Sequence, residues 1–307
     1  MVRKINLPSP SVTVDVSALP TGKLFLPDRW LFEDGDDDMR KARQFSPDFS
    51  FLISHPSGEH ILFDLGLRKA SVIQADYPYI SPIVPKDATD LLNEGPIKSS
   101  DISTVVFSHL HFDHTGDPGK FTHATFVTGP GSYAATTPGY PRESKSPFLS
   151  VVIEHPNYRE LSFEADKWVP IGPFERGYDY FSDGSLYLLD TPGHMPGHLG
   201  ALAHTAEDEW VFMGGDCCHH RALLVGARPV SVTVGPNGTP SFHKDPQTAI
   251  STIEKVNVLQ SGGNVLAALA HDAILEGLMP LYPEKLNGWK AAQWKQRIDD
   301  TVKQMYA

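Results

Sequence analysis

Cysteine is almost absent from this chain, which has two cysteines, Cys217 and Cys218, in 307 residues. Adjacent cysteines cannot connect distant parts of a chain, and a disulfide between neighbours is strained. A fold held together by disulfides is therefore excluded. Both thiols are expected to be small buried side chains.

Long apolar runs are absent too. No stretch of the sequence approaches the roughly 20 apolar residues that a membrane-spanning helix needs. The basic residues near the start of the chain are not followed by an apolar segment of the kind that secretion signals contain. The sequence therefore predicts a cytoplasmic protein that does not associate with membranes.

Basic residues are in the minority. The chain has 26 Lys and Arg against 37 Asp and Glu, which gives a formal net charge of −11 at pH 7. Proteins that bind nucleic acid need basic patches to neutralise phosphates. The charge argues against a nucleic-acid partner and favours a small-molecule substrate, while the sequence leaves the oligomeric state undetermined.

Histidine, in contrast, is concentrated at one point. Residues 109–114 read His-Leu-His-Phe-Asp-His and follow directly after an apolar, strand-like run at 103–107. Imidazole and carboxylate ligands suit zinc and similar metals, and a strand that ends in a loop can direct alternate side chains into one pocket. This HxHxDH motif predicts the metal site of a two-metal hydrolase.

Three later segments also place possible ligands where a strand is expected to end. The segment 191–198 reads Thr-Pro-Gly-His-Met-Pro-Gly-His, which predicts a tight loop that carries His194 and His198. A second apolar run ends in Gly-Gly-Asp at Asp216, and a third ends at His271. Since one short motif cannot complete two metal sites, distant loops of this kind must supply the other ligands.

In this order the motifs resemble those of the metallo-β-lactamase-fold hydrolases, and most closely those of the quorum-quenching lactonases and fungal lactamases of that fold. The resemblance implies an α+β four-layer αββα sandwich, with two similar halves in a single domain over residues 1–307. It also implies two divalent metal ions, with Zn²⁺ the expected metal. The implied ligands are His109, His111 and His198 on the first metal, Asp113, His114 and His271 on the second, and Asp216 between them.

Two more residues take supporting roles in this interpretation. Asp64 matches the acidic residue that family members place beneath the metal ligands. His194 is expected to stabilise its loop or to support a ligand, because the second histidine of the segment, His198, is taken as the one that binds metal.

The chain departs from the lactonases in two places. His219 stands three residues after Asp216, where the lactonases have a tyrosine that helps to hold the substrate carbonyl, so His219 is expected to be the catalytic donor there. Residues 130–170 form a long, irregular segment that predicts a substrate-pocket insertion. Its aromatic residues are candidates for the pocket wall: Tyr133, Phe148, Tyr158, Phe163 and Trp168.

The predicted function is a dinuclear zinc hydrolase that opens a cyclic ester or amide, that is, a lactone or a lactam. A metal-bridging hydroxide would attack the carbonyl carbon, and Asp113 would carry a proton to the leaving group. The alternatives are a glyoxalase II-type thioesterase, a phosphodiesterase and, from a different class, a non-catalytic metal-binding interaction protein. The complete set of ligand positions argues against the last of these.

Apolar runs and turn residues also predict the main elements. Strands are predicted at 11–16, 49–54, 60–64, 105–108, 125–128, 186–189 and 210–213. Helices are predicted at 86–94, 246–260 and 284–305. Asp245 is expected to cap the second of these helices, with Pro246 at its first position.

Overall fold

The structure is a computed structural model that describes residues 5–69 and 80–306. Strands within these ranges form two six-stranded sheets, in which neighbours along the chain are also neighbours in space. The first sheet contains β1 (Asp15–Pro27), β2 (Arg43–Ser54), β3 (His60–Phe63), β4 (Ile102–Val106), β5 (Thr125–Thr128) and β6 (Tyr158–Glu160). The second contains β7 (Trp168–Ile171), β8 (Phe174–Asp179), β9 (Leu186–Asp190), β10 (Leu199–Ala206), β11 (Glu209–Met213) and β12 (Val265–Ala268).

Strand direction differs between the two sheets. In the first sheet, β1 to β3 pair antiparallel and β3 to β6 pair parallel. In the second sheet, the pairs from β7 to β11 are antiparallel and β11 pairs parallel with β12. The helices are α1 (Asp28–Leu31), α2 (Ala88–Glu94), α3 (Phe112–Thr115), α4 (Ser132–Thr136), α5 (Ser150–Ile153), α6 (Arg221–Leu224), α7 (Pro246–Ser261) and α8 (Trp294–Tyr306).

The two sheets pack face to face and form the central core. Phe51 and Val106 of the first sheet share one buried cluster with Leu188 and Val211 of the second. Alternate residues of a strand point to opposite faces, so the other faces of the sheets are also apolar and need a cover.

Helices provide that cover on both sides. Leu62 and Val105 of the first sheet pack in one cluster with Leu92 of α2. On the second sheet, Phe212 shares a cluster with Ile253 of α7. The order of layers is thus helix, sheet, sheet, helix, which confirms the predicted αββα sandwich.

Several of the predicted elements are present with small changes in their bounds. The strand at 125–128 is β5, and the predicted helix at 246–260 is α7, in which the side chain of Asp245 accepts a hydrogen bond from the backbone N–H of Thr248. The first strand begins later than expected and is longer, because β1 pairs with β2 along its full length from Asp15 to Pro27. The strands β6, β7, β8 and β10 were not predicted.

The C-terminal helix is shorter than predicted. It covers 13 residues and begins at Trp294 rather than at residue 284. The chain before it is tied to the sheets: the backbone N–H of Leu286 donates to the carbonyl of Val16, and the indole N–H of Trp289 donates to the carbonyl of Trp210. These contacts hold the segment before Trp294 in a non-helical conformation, so the helix begins later than predicted.

Residues 130–170 are more regular than the sequence suggests, since they contain α4, α5 and β6 and reach into β7. Their role as a pocket insertion stays a prediction, as does the assignment of residues 1–307 to a single domain. Among the helices of the described ranges, none has the length and apolar character needed to cross a membrane.

Gly66 is a point where the fold requires glycine. Its φ is +66°, and a Cβ atom there would overlap the side chain of Thr21 and lie 2.9 Å from Asp48 Oδ2. We expect Gly66→Ala to lower the free energy of unfolding by about 2–4 kcal/mol, from backbone strain and overpacking together.

Gly58 offers a matched control for this prediction, because its φ is also positive, at +93°, yet a Cβ there would meet nothing within 4 Å. Gly58→Ala should cost only about 1–2 kcal/mol. Urea unfolding of both variants measures the difference, and equal losses would show that crowding at Gly66 is unimportant.

Candidate metal centre

Four loops meet at one edge of the sandwich, and each follows the end of a strand. The loop after β4 carries His109 and His111 and continues into α3, which contains Asp113 and His114. The loops after β9, β11 and β12 bring His194, Asp216 and His271, respectively, to the same place. The common position of strand ends explains how motifs far apart in the sequence converge.

The first group of possible ligands contains His109, His111, His194 and Asp216. His111 Nδ1 lies 2.8 Å from His109 Nε2 and 3.0 Å from His194 Nε2. His194 Nε2 lies 3.4 Å from Asp216 Oδ2. Three imidazole nitrogens and a carboxylate oxygen are a donor set that zinc accepts.

The second group contains Asp113, His114, Asp216 and His271. His114 Nε2 and His271 Nε2 each lie 3.2 Å from Asp216 Oδ1. His271 Nε2 lies 3.6 Å from Asp113 Oδ2. The two oxygens of Asp216 therefore face different groups, Oδ1 the second and Oδ2 the first, as a bridging carboxylate requires.

Two buried polar atoms support the fit of metal ions to this arrangement. His114 Nε2 and Asp216 Oδ1 are buried and have no hydrogen-bond partner. Buried polar atoms are normally paired, and an unpaired one costs free energy. A cation between these atoms would pair both of them, so the side chains fit a divalent metal.

The outward-facing nitrogens of two possible ligands are fixed by protein atoms. His114 Nδ1 lies 2.9 Å from Asp64 Oδ2, and His271 Nδ1 donates to the carbonyl of Pro47 at 2.9 Å. Nδ1 therefore carries a proton in both rings, and Nε2, which faces the centre, is the atom that would bind a metal in place of its own proton. Asp64 thus lies beneath the ligands, where the resemblance placed it.

Asp64 is itself held by the loop it supports. It accepts hydrogen bonds from the backbone N–H and the hydroxyl of Ser108, both at 2.7 Å. Its φ of +63° is uncommon for a residue other than glycine. Such strain persists where surrounding contacts hold the backbone in place.

The contacts of His194 and His198 favour the opposite assignment to the one expected from the sequence. His198 Nδ1 lies 2.7 Å from Thr191 Oγ1, and His198 Nε2 accepts a hydrogen bond from the backbone N–H of Asp216 at 3.1 Å. Both nitrogens of His198 are engaged by protein atoms, so it has no free lone pair for a metal. His194 points Nε2 into the first group instead, and the geometry favours it as the ligand.

Burial sets the charge state of the first group. It lowers the pKa of His109 and of His194, which belong to this group, well below the ordinary value. Burial also lowers the pKa of the neighbouring His198 to about 3. These imidazoles are therefore neutral near pH 7. Burial alone would raise the pKa of Asp216, but the neighbouring His114, followed by His219, holds that pKa well below its usual range.

His219 lies beside Asp216, but its expected role as a donor to a substrate carbonyl is not favoured by its contacts. His219 Nε2 lies 3.1 Å from Asp216 Oδ2. Because an ionised carboxylate only accepts hydrogen bonds, Nε2 must carry the proton. A neutral His219 then offers only an acceptor at Nδ1, and its geometry suits the positioning of Asp216.

Of the five aromatic residues proposed for the pocket wall, one contacts a ligand candidate through its ring. Phe148 stacks on His111, with ring centroids 5.8 Å apart. Phe163 packs on Trp168 at 5.2 Å, and Trp168 packs on Tyr178 of β8 at 5.9 Å. This second pair thus belongs to a cluster on the second sheet.

Tyr133 and Tyr158 pack on each other at 6.4 Å, and the Tyr158 hydroxyl lies 2.8 Å from Thr128 Oγ1. The aromatic residue that sequence reasoning missed is Phe242, whose ring lies 4.5 Å from that of His219 and 6.1 Å from that of His194. Nothing in its local sequence pattern indicates this contact.

Asp48 is a second residue that was missed. Its side chain is fully buried and accepts a hydrogen bond from the backbone N–H of Leu67 at 2.7 Å. Burial raises the pKa of Asp48 to about 7, against the opposing effect of His271. No ligand motif surrounds Asp48 in the mixed polar and apolar sequence of β2, and its proximity to the site appears only in the effects of His271 and His114 on its pKa.

The sequence and the fold match a known family. The sequence profile of the metallo-β-lactamase superfamily matches residues 44–214, and the chain belongs to this superfamily. The chain is 35% identical to the metallo-hydrolase mfmC of Annulohypoxylon moriforme, over 95% of this chain and 87% of that protein. It is 29% identical to the γ-lactamase FDB1 of Fusarium pseudograminearum, over 81% of this chain and 71% of that protein.

Other relatives are longer. The chain is 35% identical to the cytochrome P450 monooxygenase mpaDE' of Penicillium brevicompactum, over 95% of this chain, but it spans only 37% of that protein. Among solved structures, an N-acyl homoserine lactone hydrolase with N-hexanoyl-L-homoserine at its catalytic metal centre superposes with a TM-score of 0.67 at 19% identity. This match covers 92% of this chain and 100% of that one, and it supports the fold.

The exchange between His194 and His198 can be tested with two alanine variants. We expect His194→Ala to bind one metal ion fewer per chain than the wild type, because its Nε2 faces the first group. His198→Ala should bind the same number at saturating zinc but unfold at a lower temperature, since it removes a buried contact to the Asp216 backbone.

Equilibrium dialysis followed by elemental analysis measures the metal content of both variants. If His198→Ala lost a metal ion while His194→Ala kept full metal occupancy, His198 would be the ligand, as the sequence suggested.

Proposed function

We propose that this protein is a metal-dependent hydrolase that opens a small cyclic ester or amide. The observation that carries the proposal is the position of Asp216, whose two carboxylate oxygens face two separate groups of histidine and aspartate side chains. The chain is a member of a superfamily of metal-dependent hydrolases, and its relatives include proteins named as a γ-lactamase and as an N-acyl homoserine lactonase.

Two divalent metal ions, with zinc the expected metal, would when bound supply a hydroxide at neutral pH and polarise the scissile carbonyl. His109, His111 and His194 would hold one ion, Asp113, His114 and His271 the other, and Asp216 would lie between them. Burial keeps the imidazoles of the first group neutral, which is the form that binds metal.

Asp113 is suited to proton transfer. It lies in the first turn of α3, and its two oxygens face His114 and His271 at 4.0 Å and 3.6 Å. One oxygen would be enough for a ligand, so the other could accept the proton that the attacking hydroxide still carries after it has added to the carbonyl carbon, and deliver it to the leaving oxygen or nitrogen. In a cyclic substrate the leaving group stays attached to the product, close to Asp113.

The aromatic residues around the centre support a compact substrate with an apolar part. Phe148 stacks on His111, and Phe242 packs against His219 and His194. These two rings flank the first ligand group and provide apolar surface beside it. A lactone or lactam with a small apolar or aryl ring suits such surroundings better than a phosphodiester does.

The proposal is tested by assaying zinc-loaded protein against lactones, lactams, thioesters and phosphodiesters. We expect turnover of a lactone or a lactam, with loss of activity on chelation and recovery when zinc is restored. Turnover confined to thioesters or phosphodiesters, or no turnover of any of these substrates, would contradict the proposed function.

Asp113→Asn tests proton transfer in the same assay. It should reduce kcat by about 10²–10⁴, the usual contribution of general acid–base catalysis, while metal content changes little. Asp117→Asn is a matched control in the segment that follows α3, since the Asp117 side chain is 46% exposed. An unchanged kcat in metal-loaded Asp113→Asn would remove this role.

A further inference from the structure

His243, which has no ligand spacing in the sequence, lies against the metal centre. Its segment is fastened to the loop that carries His194: the backbone N–H of Lys244 donates to the carbonyl of His194 at 3.0 Å, and that of Asp245 donates to the carbonyl of Gly193 at 2.9 Å. These bonds fix the position of His243 relative to the ligands.

The ring of His243 lies among the other imidazoles of the site. Its centroid is 5.0 Å from that of His219 and 5.3 Å from that of His194. The side chain is buried, and its Nδ1 atom has no hydrogen-bond partner. Since buried polar atoms are normally paired, an unpaired nitrogen beside a catalytic centre indicates a place where a ligand supplies the partner.

His219, which lies nearer to Asp216 than His243 does, is not free to pair with a ligand. Its Nε2 proton is directed at Asp216 Oδ2, 3.1 Å away. Phe242, the neighbour of His243, packs on His219 with ring centroids 4.5 Å apart and restricts it further. The site therefore has His219 held on Asp216, and it has unpaired Nδ1 atoms on His243 and on the ligand candidate His194. One nitrogen each of His194, His219 and His243 lies within 4.8 Å of the others, so the metal content of His243 variants must be measured beside their activity.

We propose that His243 is a substrate-binding residue, whose Nδ1 donates a hydrogen bond to an acceptor oxygen of the substrate's ester or amide group. Phe242 packs against the apolar part of the substrate's ring. This inference rests on the proposed function and deepens it. Together, Phe242 and His243 select substrates by polarity and by size, because a substrate needs an acceptor oxygen next to a compact apolar group.

The test compares His243→Ala and His243→Gln with wild type in zinc-loaded protein. His243→Ala should lower kcat/KM for the best cyclic substrate about 10- to 100-fold, with metal content unchanged. His243→Gln should recover part of this loss, because its amide N–H can donate to the same oxygen. Calorimetry should show weaker binding of the ring-opened product by a similar factor in His243→Ala.

His204→Gln is a matched control, because His204 and His243 are each 4% exposed. His204 lies away from the centre, where its Nδ1 contacts the carbonyl of Val12 at 2.8 Å. The His204→Gln variant should change the stability of the protein without changing kcat/KM or product affinity.

The outcomes separate the two levels of the proposal. An active wild type with unchanged kcat/KM and product affinity in His243→Ala would overturn the role of His243 alone. Loss of a metal ion in His243→Ala would also overturn it and make His243 a ligand. A wild type that neither turns over nor binds any cyclic ester, amide or product would overturn the proposed function itself.

Discussion

The structure depends on one buried carboxylate, that of Asp216, surrounded by imidazoles. An ionised carboxylate removed from water is costly unless it is paired. Here His219 lies 3.1 Å from Oδ2, while His114 and His271 lie 3.2 Å from Oδ1, which has no hydrogen-bond partner and which a bound cation would pair. Loops from separate strands must therefore come together around Asp216, and a change in any of them affects the others.

The sandwich makes this convergence possible. The parallel strands of the first sheet end at one edge, where the loop after β4 meets the loops of the second sheet. Supporting residues then fix the orientation of two ligand candidates and of their neighbour His198. Asp64 contacts His114, the carbonyl of Pro47 accepts from His271, and Thr191 contacts His198. The proposed chemistry would therefore depend on hydrogen bonds outside the ligand groups as well as on the ligands.

Local motifs in the sequence predict much of this arrangement. The HxHxDH run and the strand-end positions of Asp216 and His271 identify loops that the structure brings together, because each lies next to an apolar strand. The choice between His194 and His198 cannot be made in the same way. Both lie in one tight loop, and only the contacts of His198 with Thr191 and Asp216 show which ring is already engaged.

Residues that reach the site through long-range packing are also invisible to local patterns. Phe242 and His243 follow no strand and carry no ligand spacing, and they reach the centre because their segment bonds to the backbone of the His194 loop. The late start of α8 has a similar cause, since Leu286 and Trp289 are tied to distant strands.

The most direct measurement is anomalous X-ray diffraction at the zinc edge from crystals of zinc-loaded protein. We expect two peaks on either side of Asp216, one bound by His109, His111 and His194 and the other by Asp113, His114 and His271. A single peak, or a zinc ion bound by His198, would contradict the arrangement of ligands around Asp216.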